Sequence, residues 1–257
     1  MAAERAGEYV QSLDRGLAVI RCFDQDHQRL TIADVARETG LTRAAARRFL
    51  HTLENLGYIG VEGTRFYLRP RVLELGYAYL SSVTVPDIAQ EHLVHLSETV
   101  HESCSASVLD GDEIVYVARA QTKRIMTIAL GVGSRLPAYP TSMGRVLLAS
   151  LSESELEAYL AKAELRPLTE RTTVSADELR RILATVARTG YAVIDQELEQ
   201  GVRSVAAPIR DSRGRVVAAI NVSAHAARVT LARLQDEFVP ALLETAKRID
   251  ADLAVRR

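Results

Sequence analysis

The strongest constraint on the fold is a pair of short helical patterns that are separated by only three residues, the first of which is a glycine. The first pattern begins behind Thr31 and ends at Gly40, and the second begins behind Thr42 and ends at Gly57. Threonine is a preferred N-cap and glycine a preferred helix terminator, so both ends of both helices are marked. Because only Gly40, Leu41 and Thr42 lie between them, the two helices must turn tightly against each other.

An earlier helical pattern and a later hairpin pattern flank this pair. Leu13, Leu17 and Ile20 fall on one side of a predicted first helix. The segment YIGVEGTRFYL predicts two short strands around a turn at residues 62–63. The buried stripe of the third helix is expected to contain Ala46, Phe49, Leu50, Leu53 and Leu56. Three helices followed by a hairpin make a winged helix-turn-helix.

The opposite face of the third helix is basic, which predicts DNA binding. Arg43, Arg47 and His51 follow each other at four-residue spacing, with small residues between them. Small residues let a helix enter the major groove, which is roughly 12 Å wide. His51 is as readily an ordinary, partly exposed histidine as a phosphate contact. The predicted DNA contacts are Thr42, Arg43, Ala44, Arg47, Arg48 and, at the hairpin tip, Arg65.

The formal net charge of −1 means that DNA binding must come from a local concentration of positive charge. Residues 42–71 contain six arginines and two glutamates, a side-chain charge of +4 by subtraction. The alternative interpretation is that these arginines only keep an exposed helix face solvated and do not contact DNA. The tight turn, the basic face and the hairpin occur in the order that a winged helix requires, which favours DNA binding.

The chain changes character near residues 81–86, and we expect an α+β protein of two domains. The predicted divisions are a DNA-binding domain over 1–70, a connecting helix over 71–85 and an effector-binding and oligomerisation domain over 86–257. The connecting segment is too apolar for a flexible tether, so we expect it to pack on other protein. A second subunit is the expected partner, in a homodimer or homotetramer.

The larger domain begins with strand patterns. Residues 110–112, Asp-Gly-Asp, predict a hairpin turn, and RIMTIAL predicts a third strand. A later amphipathic helix begins near Thr141, and the free N–H groups of Ser142, Met143 and Gly144 would suit a carboxylate. The alternative is that Thr141 and Ser142 only cap the helix.

Neither a cofactor nor export is expected. Cys22 and Cys104 have no metal-binding or disulfide spacing, MAAERAGEYV has charges where a signal peptide needs an apolar core, and no apolar run approaches membrane length. The expected location is the cytoplasm.

His92, His95 and His101 near Cys104 could bind zinc. Ordinary surface histidines are the default interpretation of this pattern, so no metal is predicted. GVGSR is not a nucleophile elbow, so we expect no enzyme.

Segments along nearly the whole chain resemble the IclR-type transcription regulators. They are SLDRGLAVIRCFD, LTIADVARETGLTRAAARRFLHTLENLGYI, LPAYPTSMGRVLLA, GYAVIDQELEQGVRSVAAPI and AINVSAH. The resemblance implies a winged helix-turn-helix joined to a GAF-like domain with a mixed sheet flanked by helices. DQELEQGVRSVAAPI is similar to the branch that regulates aromatic-acid breakdown through β-ketoadipate, including protocatechuate and 4-hydroxybenzoate responders. The implied function is a DNA-binding regulator of aromatic compound catabolism that responds to a small organic acid.

The resemblance also implies an effector site at the helix that begins near Thr141. Ser142 and Met143 would supply main-chain donors to a carboxylate. The implied lining residues are Ser204, Asn221 and Ser223 from the strands, with Tyr139, Val202 and Ile194 as apolar walls. Asn221 and Ser223 are two apart and therefore share one face of a strand, although they could instead bond the neighbouring backbone.

One departure from the family concerns the charge of this pocket. Many relatives have an acidic residue where this chain has Ile194, which implies a less charged and roomier pocket. Arg124, Arg135 or Arg203 could contact a second acidic group. Two other functions stay open, namely a DNA-binding assembly protein with no small-molecule effector and a metal-dependent hydrolase with a DNA-binding appendage.

Overall fold

The computed structural model describes residues 9–24, 26–82, 84–121 and 130–255. The chain divides into two compact units, Met1–Ser82 and Val83–Arg257. Each unit is a separate body with its own core, and each is described by itself below. Among the helices of the described residues, none has both the length and the apolar character that a membrane span requires.

The N-terminal unit is a winged helix-turn-helix, as predicted. Its elements are α1 (Gln11–Arg21), α2 (Ile32–Thr39), α3 (Arg43–Asn55), β1 (Ile59–Glu62), β2 (Arg65–Leu68), a 3-10 turn (Pro70–Val72) and α4 (Leu73–Ser82). The strands β1 and β2 form an antiparallel hairpin in which Glu62 pairs with Arg65. Leu30 adds a bridge to Phe66, so the segment before α2 extends this wing.

The predicted helix ends are confirmed by their capping geometry. Thr31 and Asp34 form a capping box at the start of α2, and Gly40 ends that helix in the left-handed conformation at φ 68°. Thr42 caps α3 by accepting from the Ala45 N–H at 3.2 Å. These caps satisfy backbone groups that a short helix would otherwise leave unpaired. Caps on both sides fix the turn between α2 and α3.

The predicted buried stripe of α3 is wrong at one residue, and much of the apolar side of α1 is exposed. Leu13 and Leu17 on α1 are 63% and 45% exposed, whereas Val19 is fully buried. Leu56, at the end of α3, is 51% exposed. The core of this unit is small and reaches only the side of α1 that carries Val19. An apolar strip on α1 is therefore left at the surface of the unit.

The C-terminal unit is an antiparallel sheet between two layers of helices. Its elements are α5 (Thr84–Val100), β3 (Ser103–Asp110), β4 (Glu113–Ala120), β5 (Arg135–Pro137), α6 (Ser142–Leu148), α7 (Glu153–Leu160), α8 (Ala176–Thr189), β6 (Ala192–Asp195), β7 (Val202–Arg210), β8 (Val216–His225), α9 (Leu231–Arg233), a π-helical turn (Leu234–Phe238) and α10 (Val239–Val255). The strand order is β5-β4-β3-β8-β7-β6. One sheet face packs on α5 and α10, and the other packs on α6 and α8.

The order and direction of these strands refine the prediction. All pairings between the described strands of this sheet are antiparallel, so the predicted mixed sheet is wrong in this respect. The predicted hairpin is confirmed, because Asp110 pairs with Glu113 and Gly111 has a φ of 66°. The predicted third strand over 124–130 lies, except for Leu130, outside the described residues. On the edge of β4 that faces away from β3, the pairing strand is β5.

Candidate DNA-binding and effector sites

The exposed face of α3 borders an open groove in the N-terminal unit. Four predicted contacts, Arg43, Ala44, Arg47 and Arg48, line one side of this groove. The start of α2 and Thr64 of the wing turn line the remainder. Wing and helix therefore border one concave surface, which is the arrangement that a helix in the major groove requires.

Within the described residues, no acidic side chain pairs with the arginines of this groove. In the described residues Arg43, Arg47 and Arg48 form no ion pair, and the same holds for Arg65 at the wing tip. Three other arginines of the unit do form ion pairs, namely Arg29, Arg37 and Arg71, and Arg37 lies 3.0 Å from Asp34. Unpaired exposed arginines attract phosphates, whereas a paired arginine must first give up its partner.

Two polar residues of α3 are already engaged within the protein. The Thr42 hydroxyl oxygen caps the helix by accepting one hydrogen bond, so one lone pair and the hydroxyl hydrogen remain for a base edge. His51 Nδ1 lies 2.9 Å from Glu54 Oε2, and its ring meets Phe66 edge-on at 5.8 Å between centroids. His51 thus contacts the wing and a neighbouring carboxylate, which accounts for it without a DNA contact.

A cavity lined by both apolar and polar side chains lies between the start of α6 and the sheet of the C-terminal unit, and we call it the effector cavity after the site that the sequence predicts there. Most of the predicted site residues line it: Ser142, Met143, Ile194, Val202, Ser204, Asn221 and Ser223. Strand register brings the polar ones together, since Ser204 of β7 pairs with Ser223 of β8, and Asn221 lies two residues before Ser223 on the same face.

The polar atoms of the effector cavity are incompletely paired. Ser204 Oγ donates to Ser142 Oγ at 2.9 Å. Thr141 Oγ1 accepts from the Gly144 N–H at 3.1 Å, but the N–H groups of Ser142 and Met143 have no acceptor within the described residues. These two N–H groups are the first of a helix whose residues are all buried. Unpaired N–H groups at the start of a helix can donate hydrogen bonds to an anion, and the helix dipole favours negative charge there.

A close approach of backbone to backbone holds the start of α6 in place. A Cβ built on Gly144 would lie 2.0 Å from the Ala138 carbonyl oxygen. Only glycine permits this contact, so α6 sits directly against the segment that precedes it. The effector cavity measures about 30 Å³, against the roughly 150 Å³ of an engineered cavity that binds benzene. In this form the walls leave no room for an aromatic ring.

Tyr139 and the predicted arginines lie elsewhere. The Tyr139 hydroxyl donates to the Arg166 carbonyl at 2.6 Å, so its ring packs away from the effector cavity. Arg203 pairs with Asp195 at 2.6 Å, on the strand face opposite Ser204. Arg135 is equally accounted for by its ion pairs with Asp110 and Glu113. Arg124 lies outside the described residues.

Five further residues, which the sequence did not single out, also line the effector cavity: Tyr116, Leu130, Pro140, Leu198 and Glu199. Tyr116 lies beside a bulge at which β3 and β4 change register, and such a bulge is not evident from alternation. Leu198 and Glu199 belong to the turn between β6 and β7, where no period indicates which side chain faces inward.

Two of the four candidate zinc ligands, His92 and Cys104, have ordinary partners within the protein. His92 Nε2 lies 2.8 Å from Asp252 Oδ2, and the Cys104 thiol donates to the Glu102 carbonyl at 3.6 Å. Burial raises the pKa of the Cys104 thiol, which disfavours the thiolate that a metal would need. Across the ranges that the structure describes, no group of three His, Cys, Asp or Glu residues could hold a metal ion.

Comparison with known families matches both units. A model of the "IclR helix-turn-helix domain" matches residues 12–63. A model described as "Bacterial transcriptional regulator IclR C-terminal" matches residues 77–251. The two matches cover nearly the whole chain in the order expected from the sequence.

Similar proteins are regulators as well. The Pca regulon regulatory protein of Pseudomonas putida is 46% identical over 93% of this chain and 83% of its own length. A transcriptional regulator from a Rhodococcus species has a TM-score of 0.86 at 57% identity, over 95% of this chain and 98% of that one. An IclR homologue from Microbacterium hydrocarbonoxydans, solved in complex with 4-hydroxybenzoate, has a TM-score of 0.83 at 26% identity, over 94% and 98%.

Proposed function

The chain belongs to the IclR family of bacterial transcription regulators, and from this we propose that its effector is a small aromatic carboxylate. Like its relatives, it is a DNA-binding regulator and not an enzyme. The observation that carries the proposal is the effector cavity, where two buried main-chain N–H groups face polar side chains of the sheet. A relative of the same fold binds 4-hydroxybenzoate.

In the proposed complex the carboxylate accepts from the N–H groups of Ser142 and Met143. These donors are fixed before binding by the Thr141 cap and by the contact of Gly144 with Ala138. Fixed donors in a buried site bind an anion without further loss of conformational freedom. The polar sides are Ser204, Asn221 and Ser223, and the apolar sides are Ile194 and Val202.

Because the effector cavity is too small for an aromatic ring in this form, we propose that the cavity opens when the effector binds. A ligand that binds only an opened form shifts the population toward that form. If the same opening changes the geometry of the DNA-binding units, the effector alters operator affinity. Thermodynamic reciprocity then requires operator DNA to alter effector affinity by the same factor.

Operator binding is proposed to use the groove beside α3. The contacting residues are Thr42, Arg43, Ala44, Arg47 and Arg48 on the helix and Arg65 on the wing. Their exposure and their lack of acidic partners among the described residues support this assignment. Operator DNA lies in the bacterial cytoplasm, so we place the protein there.

A homodimer is the proposed DNA-binding form, since one winged helix covers only a few base pairs. Large apolar side chains are exposed on the N-terminal unit: Leu13 and Leu17 on α1, and Leu73, Leu75 and Tyr77 on α4. Exposed apolar patches of this kind mark interfaces between chains.

For the division of the chain, we propose that residues 1–70 bind DNA, residues 71–85 form the connection, and residues 86–257 bind the effector and mediate assembly.

The experiment that tests this function is a calorimetric titration of the full chain with aromatic and aliphatic carboxylates, with and without operator DNA. We expect an aromatic carboxylate to bind, and its affinity to change when operator is present. Ser204→Leu should fill the effector cavity and abolish effector binding while operator binding persists. Ser212→Leu, in an exposed turn, is the matched control. A chain that binds operator but no carboxylate would be an assembly protein without an effector.

A further inference from the structure

Two acceptor oxygens at the effector cavity lack partners. Glu199 Oε2 and Asn221 Oδ1 are buried and receive no hydrogen bond from the residues that the structure describes, and both residues line the cavity. Asn221 as a whole is only 5% exposed. Buried polar atoms are nearly always paired, because an unpaired one has lost its water without compensation. Both oxygens therefore favour a hydrogen-bond donor that the described chain does not supply.

The two acceptors come from different elements and face one space. Glu199 lies on the turn before β7, where its carbonyl accepts from the Val202 N–H at 3.1 Å. Asn221 lies on β8, in the same sheet face as Ser223. The unpaired donors of the effector cavity are on a third element, the start of α6. A ligand that satisfies all of these groups must present an acceptor to α6 and a donor to Glu199 and Asn221.

We propose that Glu199, assisted by Asn221, selects effectors that carry a hydroxyl group in addition to their carboxylate. This inference rests on the proposed function and names the chemical class within it, the hydroxylated aromatic acids. An ionised carboxylate can only accept hydrogen bonds, and a phenolic hydroxyl can donate one. An unsubstituted ring would leave Glu199 desolvated and unpaired, and a ligand with a second carboxylate would place two like charges together.

The first test compares ligands on the native full chain by isothermal titration calorimetry. The series is 4-hydroxybenzoate, benzoate, 4-methoxybenzoate, which has the ring oxygen but no donor, and terephthalate, which has a second carboxylate. We expect 4-hydroxybenzoate to bind on the order of 10-fold or more tightly than the other three. Benzoate or terephthalate binding as tightly as 4-hydroxybenzoate would overturn this inference and leave the proposed function standing. Binding of none of the four would overturn both.

The second test asks whether Glu199 is the source of the preference. Glu199→Gln replaces one acceptor oxygen with a donor and removes the charge, so the preference for 4-hydroxybenzoate over 4-methoxybenzoate and terephthalate should shrink several-fold. Glu244→Gln, an exposed change on α10, should keep the native preference. An unchanged preference in Glu199→Gln would overturn the assignment. The native ligand series decides the class even if that variant does not fold.

Discussion

Arg145 and Glu197 form a buried two-point ion pair between α6 and the turn that follows β6. Arg145 Nη1 donates to Glu197 Oε1 at 2.7 Å, and Nη2 donates to Oε2 at 2.6 Å. The two side chains are 3% and 12% exposed. Glu197 also accepts from the N–H and hydroxyl of Thr173, and Arg145 Nε donates to the Tyr139 carbonyl. The pair thus joins the helix of the effector cavity to the turn that carries Glu199.

Glu197→Gln should destabilise the C-terminal unit by about 3–5 kcal/mol, because it leaves the Arg145 charge buried without compensation. Glu157→Gln is the matched control, since Glu157 also pairs with an arginine through both oxygens, but at the surface. The control should cost much less, because solvent screens an exposed ion pair. Denaturant unfolding of both variants measures the difference. Equal costs would mean that the buried pair contributes no more than an exposed one.

Gly144→Ala should destabilise the same unit by about 1–3 kcal/mol and weaken effector binding, because the added Cβ would force α6 away from Ala138. Gly16→Ala is the control, because it lies on a helix where the added Cβ has enough space. Its Cβ would meet Phe49 at an ordinary 3.9 Å, so it should stabilise by about 0.5–1 kcal/mol. Thermal unfolding and effector titration of both variants check this. A Gly144→Ala chain as stable as the native one would show that α6 can shift freely.

The capping box of α2 should make the N-terminal unit sensitive to acid. Hydrogen bonds from the Thr31 hydroxyl and N–H, with Arg37 nearby, lower the pKa of Asp34 to about 2 from an ordinary 3.8. A group whose pKa falls on folding stabilises the protein above its unfolded pKa and loses that effect as the pH drops toward its folded pKa. The melting temperatures of native and Asp34→Asn chains should therefore differ most above pH 4 and converge toward pH 2. Thr31→Val, which removes the largest cause, should show a smaller pH dependence than the native chain. A gap independent of pH would contradict this explanation.

The N-terminal fold could be predicted because its signals are local. Thr31, Gly40 and Thr42 mark helix ends through hydrogen bonds to residues a few positions away, and these bonds form in the structure. The exposure of Leu13 and Leu17 could not be predicted in the same way. Helical periodicity shows which residues share a side, but which side is covered depends on how far the rest of the core extends.

The effector site was predictable in its strands and not in its turns. Asn221, Ser223 and Ser204 face one space because alternation and register fix the side of a strand. In the turn after β6 no such rule applies, so sequence alone did not distinguish Glu197, which pairs with Arg145, from Glu199, which lines the effector cavity. The direction of Tyr139, which bonds the distant Arg166 carbonyl, depends on a tertiary contact.

Arg47→Ala should weaken operator binding roughly tenfold at moderate salt without changing the melting temperature, because Arg47 is exposed and makes no ion pair in the described unit. The probe is a genomic fragment selected by the native chain. If Arg47 contacts phosphate, the salt dependence of binding should become shallower by about one counterion per bound chain. Arg37→Ala is the matched control, since Arg37 is exposed on α2 but paired with Asp34 and Glu38, and its loss should leave affinity within about twofold. If Arg47→Ala and Arg37→Ala bind operator equally well, the basic face of α3 does not contact DNA, and the wing would have to carry the interaction.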